Sequence, residues 1–101
     1  MSAANQMARA LLITYDLKTP GRIYKPFYDA LKDEANWWHY LSSTWIVITE
    51  KDPQEMHTIL GQHLSINDSI LIVEVTVGTY WGFLAKDAWD WIEEHTGWSR
   101  S

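Results

Sequence analysis

Residues 36–50 read "NWWHYLSSTWIVITE", an aromatic and β-branched run interrupted only by Ser42 and Ser43. Such residues fit a pleated, half-buried surface, and a serine pair midway predicts two strand segments of one sheet joined by a tight turn or a bulge. Upstream, Pro26 marks a helix start near Lys25, because proline fits a first turn and costs about 3 kcal/mol in a helix interior. Phe27, Ala30 and Leu31, then Glu34 or Ala35, recur at helical steps and give one apolar face. Downstream, Asp52, Pro53 and Glu55 supply an N-cap, a first-position proline and a capping-box partner at the three-residue offset. Met56, Ile59, Leu60 and Leu64 form the stripe of that second helix.

Outside these helices lie two more strands. In "ARALLITYDL", Leu11, Ile13 and Tyr15 alternate with Leu12, Thr14 and Asp16, and apolar residues on both faces predict a central strand. Thr19-Pro20-Gly21 then makes a turn. "NDSILIVEVTV" is apolar on both faces until Glu74 and also reads as central, with Glu74 either paired across an interface or facing water at the strand's end. After Gly78 comes a short aromatic stretch, then a helix over about Lys86 to His95 that stops at a left-handed Gly97. Trp89, Ile92, Ala85 and Ala88 form its apolar side.

The order is strand, helix, strand pair, helix, strand and an added helix. This predicts an α+β fold, the ferredoxin-like βαββαβ arrangement with an antiparallel four-stranded sheet and a C-terminal extension. The reading is one domain over 1–101, with its core at about 9–76 and the extension and helix at about 77–98. Two helices cover one sheet face. The apolar character of the other predicts a cover, either the C-terminal helix or a second copy across a two-fold axis, and the second is preferred, with the terminal segment contributing.

Composition narrows the function. With 101 residues, 47% of them hydrophobic, the chain can bury roughly 60 to 70% of its unfolded surface without disulfides, and it has no cysteine. Thiolate zinc sites and cysteine nucleophiles are excluded, and a reducing cytoplasm is the expected location. No apolar run approaches a membrane span, and "MSAANQMARA" lacks the basic start and long apolar middle of a secretory leader. A net charge of -5 opposes broad attachment to nucleic acid. The visible basic patch is Lys18, Arg22 and Lys25, either a solvated loop or a phosphate-steering group.

Other polar residues each have a structural reading. Asp16 ends an apolar strand, where it either caps the turn amides near Lys18 and Thr19 or ligates a metal. Ser43 and Thr44 fit a structural bend. His39, between Trp38 and Tyr40, reads as a hydrogen-bonded imidazole rather than a general base. His57 and His63, six apart on one helix, fall on different sides and form no i, i+4 metal pair. The seven tryptophans serve packing better than base stacking, since no positive groove accompanies them.

The apolar strand ending in Tyr15-Asp16-Leu17, the serine-interrupted "HYLSSTWIVIT" and "NDSILIVEV" resemble, in order and spacing, the second CRISPR-associated protein and the VapD ribonuclease group. "WWHYLSSTWIV" with "AKDAWDWI" resembles small bacterial proteins labelled SinR-like, a label shared with an unrelated transcription regulator. The wider resemblance covers about residues 10–76, the narrower nearly the whole chain. It implies a cytoplasmic homodimer in which the two Asp16 carboxylates face each other, hold Mg²⁺ or Mn²⁺, and act on a phosphodiester of RNA or DNA. Lys18, Arg22 and Lys25 would steer phosphate, and Ser43 and Thr44 match the serine region of the family's second strand, where they would touch a phosphate. Other members serve as noncatalytic dimers that clamp a duplex or a protein partner, so an adaptor or regulator is the alternative. The acidic balance and missing basic ridges depart from the duplex-clamping member.

Overall fold

A computed structural model describes residues 8–76 and 78–100. Most of the N-terminal stretch read as lacking a secretory leader's features (residues 1–7) and the extension of the last long strand to Val77 lie outside the described residues. The elements are β1 (Arg9–Asp16), α1 (Lys25–Lys32), β2 (Asn36–Leu41), β3 (Thr44–Thr49), α2 (Pro53–Gly61), β4 (Ser69–Val75), β5 (Thr79–Tyr80), α3 (Lys86–His95) and β6 (Ser99–Arg100). β1 to β4 form a four-stranded antiparallel sheet in the order β2-β3-β1-β4. No described helix is long and apolar enough to cross a membrane.

Local chemistry accounts for most boundaries. Ser42 and Ser43 form the turn between β2 and β3, and the pairing also shifts register between Trp38 and Leu41, so turn and bulge occur together. Asp52 accepts from the Glu55 amide and Glu55 accepts from the Asp52 amide, closing the capping box of α2. Gly21 has a φ of 77°, which lets the chain leave the Thr19-Pro20 turn in a left-handed conformation. α1 ends at Lys32, short of Glu34, whose carboxylate instead pairs with Lys51 at 3.0 Å.

The sheet separates two apolar clusters. On one face Leu11, Ile13 and Tyr15 of β1 and Trp45 and Val47 of β3 pack under Phe27, Leu31, Met56 and Leu60 of α1 and α2. Burying each such side chain contributes about 1.5–3 kcal/mol. Tyr28, on the helix but outside the predicted stripe, packs edge-on against Phe27 and Tyr15. On the opposite face Trp38 and Ile46 meet Ala88 and Ile92 of α3. The C-terminal helix thus covers part of the face that the sequence left open.

Two expectations are corrected. β4 is an edge strand rather than a central one, with Leu71 58% and Val73 40% exposed on the face that carries Leu12 and Thr14. Its two-sided apolar pattern reflects one buried face and one uncovered face. Gly97 is not the left-handed stop of α3: Gly21 alone among the described glycines has a positive φ, and the extended Thr96 ends the helix. β5 and β6 form a two-stranded parallel ladder that periodicity did not signal.

Candidate functional site

Asp16 sits at the end of β1, opposite Ser69 of β4. Strand alternation turns it toward the face of Leu12 and Thr14, away from α1 and α2. It is exposed, and its carboxylate pairs with Lys18 Nζ at 3.1 Å. Such an exposed pair contributes about 0–1 kcal/mol, so it is easily exchanged for another partner. Among the described residues no three His, Cys, Asp or Glu side chains converge as metal ligands.

The other predicted residues are dispersed around this end of the sheet. Arg22 Nε donates to the His63 carbonyl at 3.0 Å, linking the first loop to the end of α2. Lys25 pairs with Asp29 one turn along α1 at 2.7 Å. Ser43 offers its carbonyl, which accepts from the Tyr15 amide at 3.1 Å and from Thr14 Oγ1 at 3.2 Å. Asp16 and Lys18 are therefore brought together, while Arg22, Lys25 and Ser43 are each engaged elsewhere. Glu74 finds a partner within the subunit, Arg9, at 3.2 Å.

The most heavily bonded acid near Asp16 is Asp68, which the sequence marked only as a strand boundary. Its Oδ1 accepts from the Lys18 amide at 2.8 Å, Thr19 Oγ1 at 3.1 Å and the Tyr24 hydroxyl at 2.7 Å. Its Oδ2 accepts from the Ser65 amide at 2.9 Å and from the Ser65 hydroxyl. Desolvation acts to raise its pKa, but these donors outweigh it and hold the carboxyl well below the usual carboxylate range. Asp68 thus ties the loop after β1 to the loop before β4 and fixes the backbone from which Lys18 reaches Asp16.

Asp68→Asn is expected to lower the melting temperature at neutral pH and to speed hydrogen exchange at the Lys18 and Ser65 amides. Because the folded pKa is depressed, this stabilisation is present above the unfolded value near ~3.9 and is lost as pH falls toward the folded value. The variant's acid limb should be flatter than that of the parent. Unchanged protection at both amides would contradict the clamp.

Among the described residues, two of the clefts flank the sheet. The larger, about 990 Å³, lies at the end away from Asp16, among Arg9, Glu50, Glu74 and His95. The smaller, about 430 Å³, lies between α1 and β2. Neither is lined by Asp16, whose carboxylate stands exposed. Comparison with family models, curated proteins and solved structures finds no match.

Proposed function

We infer that the chain is a ferredoxin-like subunit, similar to the second CRISPR-associated protein, that pairs as a cytoplasmic homodimer and cleaves RNA or DNA. The observation that carries this reading is that Asp16 stands exposed at the end of β1 on the same sheet face as the uncovered Leu71 and Val73. A second copy covering those side chains would bring a second Asp16 toward the first. The strand order supports the fold reading, since β3 lies between β1 and β2 and splits the β1-α1-β2 unit.

The donor chemistry fits a hard cation in such a pair: two carboxylates together disfavour full ionisation, and oxygen ligands suit Mg²⁺ or Mn²⁺. A bound ion there would supply Lewis acidity toward a phosphate oxygen and a lowered pKa for water. Asp16 would hold the ion, Lys18 would exchange its intrasubunit carboxylate for phosphate, and the Asp68 clamp would keep the Lys18 backbone in place. Arg22, Lys25 and Ser43 take no part in one subunit's Asp16 cluster, and their phosphate role rests on the resemblance.

A noncatalytic adaptor that binds a protein partner is the second reading. The Asp16–Lys18 pair favours it, because the one acid of the proposed centre is already neutralised within its own subunit. Light scattering at micromolar concentration, with cleavage of RNA and DNA in Mg²⁺ or Mn²⁺, tests the first reading. A dimer is expected, together with a loss of roughly 100-fold or more in Asp16→Asn, the scale a positioned acid or base supplies. Leu71→Glu, at an exposed position, should give folded monomers with the same loss. Cleavage that survives Asp16→Asn, or a monomeric parent, would sink the nuclease reading.

A further inference from the structure

The helix side of β2 is only partly covered, with Trp37 38% exposed and His39 half-buried. β2 is an outer strand, and α1 and α2 gather their core over β1, β3 and β4. Trp38, the buried residue of β2, points to the other face, toward α3. Between α1 and β2 this leaves the cleft of about 430 Å³, within the range of small-ligand sites.

Its walls are aromatic. His39 stacks on the buried Trp45 with ring centroids 4.0 Å apart and planes 12° apart. His39 is only half-buried, and with one face against Trp45 its free face is the other. Tyr24 and Tyr28 line the cleft from α1 and the residue before it. The rim carries Lys25 and Lys32 against Asp29, a local excess of positive charge in a chain of net charge -5. Lys25 is matched by Asp29, whereas Lys32 makes no ion pair among the described residues and lies 6.0 Å from the Trp37 ring centroid.

Flat rings at the floor, a cation at the rim and one carboxylate between them match three parts of one ligand. We propose that this cleft binds a nucleotide, free or as one unit of a single strand. The base stacks on the open face of His39, Asp29 accepts from the ribose hydroxyls, and Lys32, with Lys25, meets the phosphate. Aromatic stacking tolerates any base, so the site selects nucleotide from sugar phosphate more strongly than base from base. Because the cleft lies on the helix side of β2 and Asp16 faces the opposite side of the sheet, this site does not depend on the nuclease reading.

The test is an amide and imidazole NMR titration of the full chain with AMP, adenosine, ribose 5-phosphate and a hexameric oligoadenylate. AMP should shift His39, Tyr28 and Lys32 together. Adenosine and ribose 5-phosphate should each bind about tenfold more weakly, since each lacks one of the two recognised parts. His39→Ala and Lys32→Glu, at half-buried and exposed positions, should each weaken AMP about tenfold with an unchanged fold. A hexamer that binds at least about tenfold tighter than AMP places the nucleotide in a strand; equal binding places it as a free nucleotide, and both support the site. Ribose 5-phosphate binding as tightly as AMP, shifts confined to other surfaces, or no shift at millimolar AMP would overturn it.

Discussion

Trp45→Ala is expected to destabilise the protein by about 3–5 kcal/mol, the cost of emptying a large aromatic site in a close-packed core. Against a typical total of about 5–15 kcal/mol this is enough to leave much of the chain unfolded at 37 °C. Trp45 is fully buried at the centre of the helix-side cluster, with the Trp37 and His39 rings against it. Its indole Nε1 donates to the Tyr15 hydroxyl at 2.9 Å, and that hydroxyl donates to the Ser42 carbonyl at 3.2 Å. Trp45 thus fills the core and also holds the Tyr15 hydroxyl that connects β1 to the β2-β3 turn.

The same pair predicts an alkaline limit. Burial pushes the Tyr15 phenol up to about 12, even though the Trp45 hydrogen bond acts to lower it. A raised folded pKa means that the stabilisation is complete below the unfolded value near ~10 and is lost as pH rises toward the folded value. Urea midpoints should therefore fall between about pH 10 and 12, and phenolate absorbance from Tyr15 should appear together with unfolding. Tyr15→Phe should flatten this limb but weaken the fold at neutral pH, because the buried Trp45 N–H then lacks an acceptor, at about 1–3 kcal/mol. Ionisation of Tyr15 near pH 10 in a chain that stays folded would contradict this account of its burial.

Where a feature was set by neighbours in sequence, the sequence revealed it. The capping box at Asp52, the proline at the start of α1, the serine turn between two aromatic strands and the span of α3 all depend on residues within a few positions of one another. β4 shows where that logic stops. "ILIV" is apolar on alternate faces whether a strand is central or lies at an edge whose second face is uncovered, and only the pairing order distinguishes the two. Asp68 shows the same limit for the site. Its bonds to Lys18, Thr19 and Tyr24 span 50, 49 and 44 residues, so no local pattern could register them. Asp16 was legible as a strand-ending acid, but its pairing with Lys18 followed from side-chain placement. The cleft beside His39 arises because the two helices stop short of β2, a property of packing with no motif of its own.

Trp38→Ala is the second large change, and its effect should be local where that of Trp45→Ala is global. Trp38 is 2% exposed and donates from Nε1 to the Ala88 carbonyl at 3.1 Å, the buried hydrogen bond between β2 and α3. With Ile46, Ala88 and Ile92 it forms a cluster that meets the helix-side core only through the sheet itself. Truncation removes about 3–5 kcal/mol of interaction, but most of that holds one ten-residue helix rather than the whole sheet. Amides of α3 should exchange orders of magnitude faster, while those at Phe27–Leu31 and Met56–Leu60 keep their protection. Equal acceleration in all three helices would mean that the two clusters unfold as one unit. Release of α3 also uncovers Leu12 and Ile46 beside the exposed Leu71 and Val73, enlarging one continuous apolar face. The variant should therefore self-associate more strongly with concentration than the parent, and Leu71→Glu in the same chain should reverse that association without restoring α3.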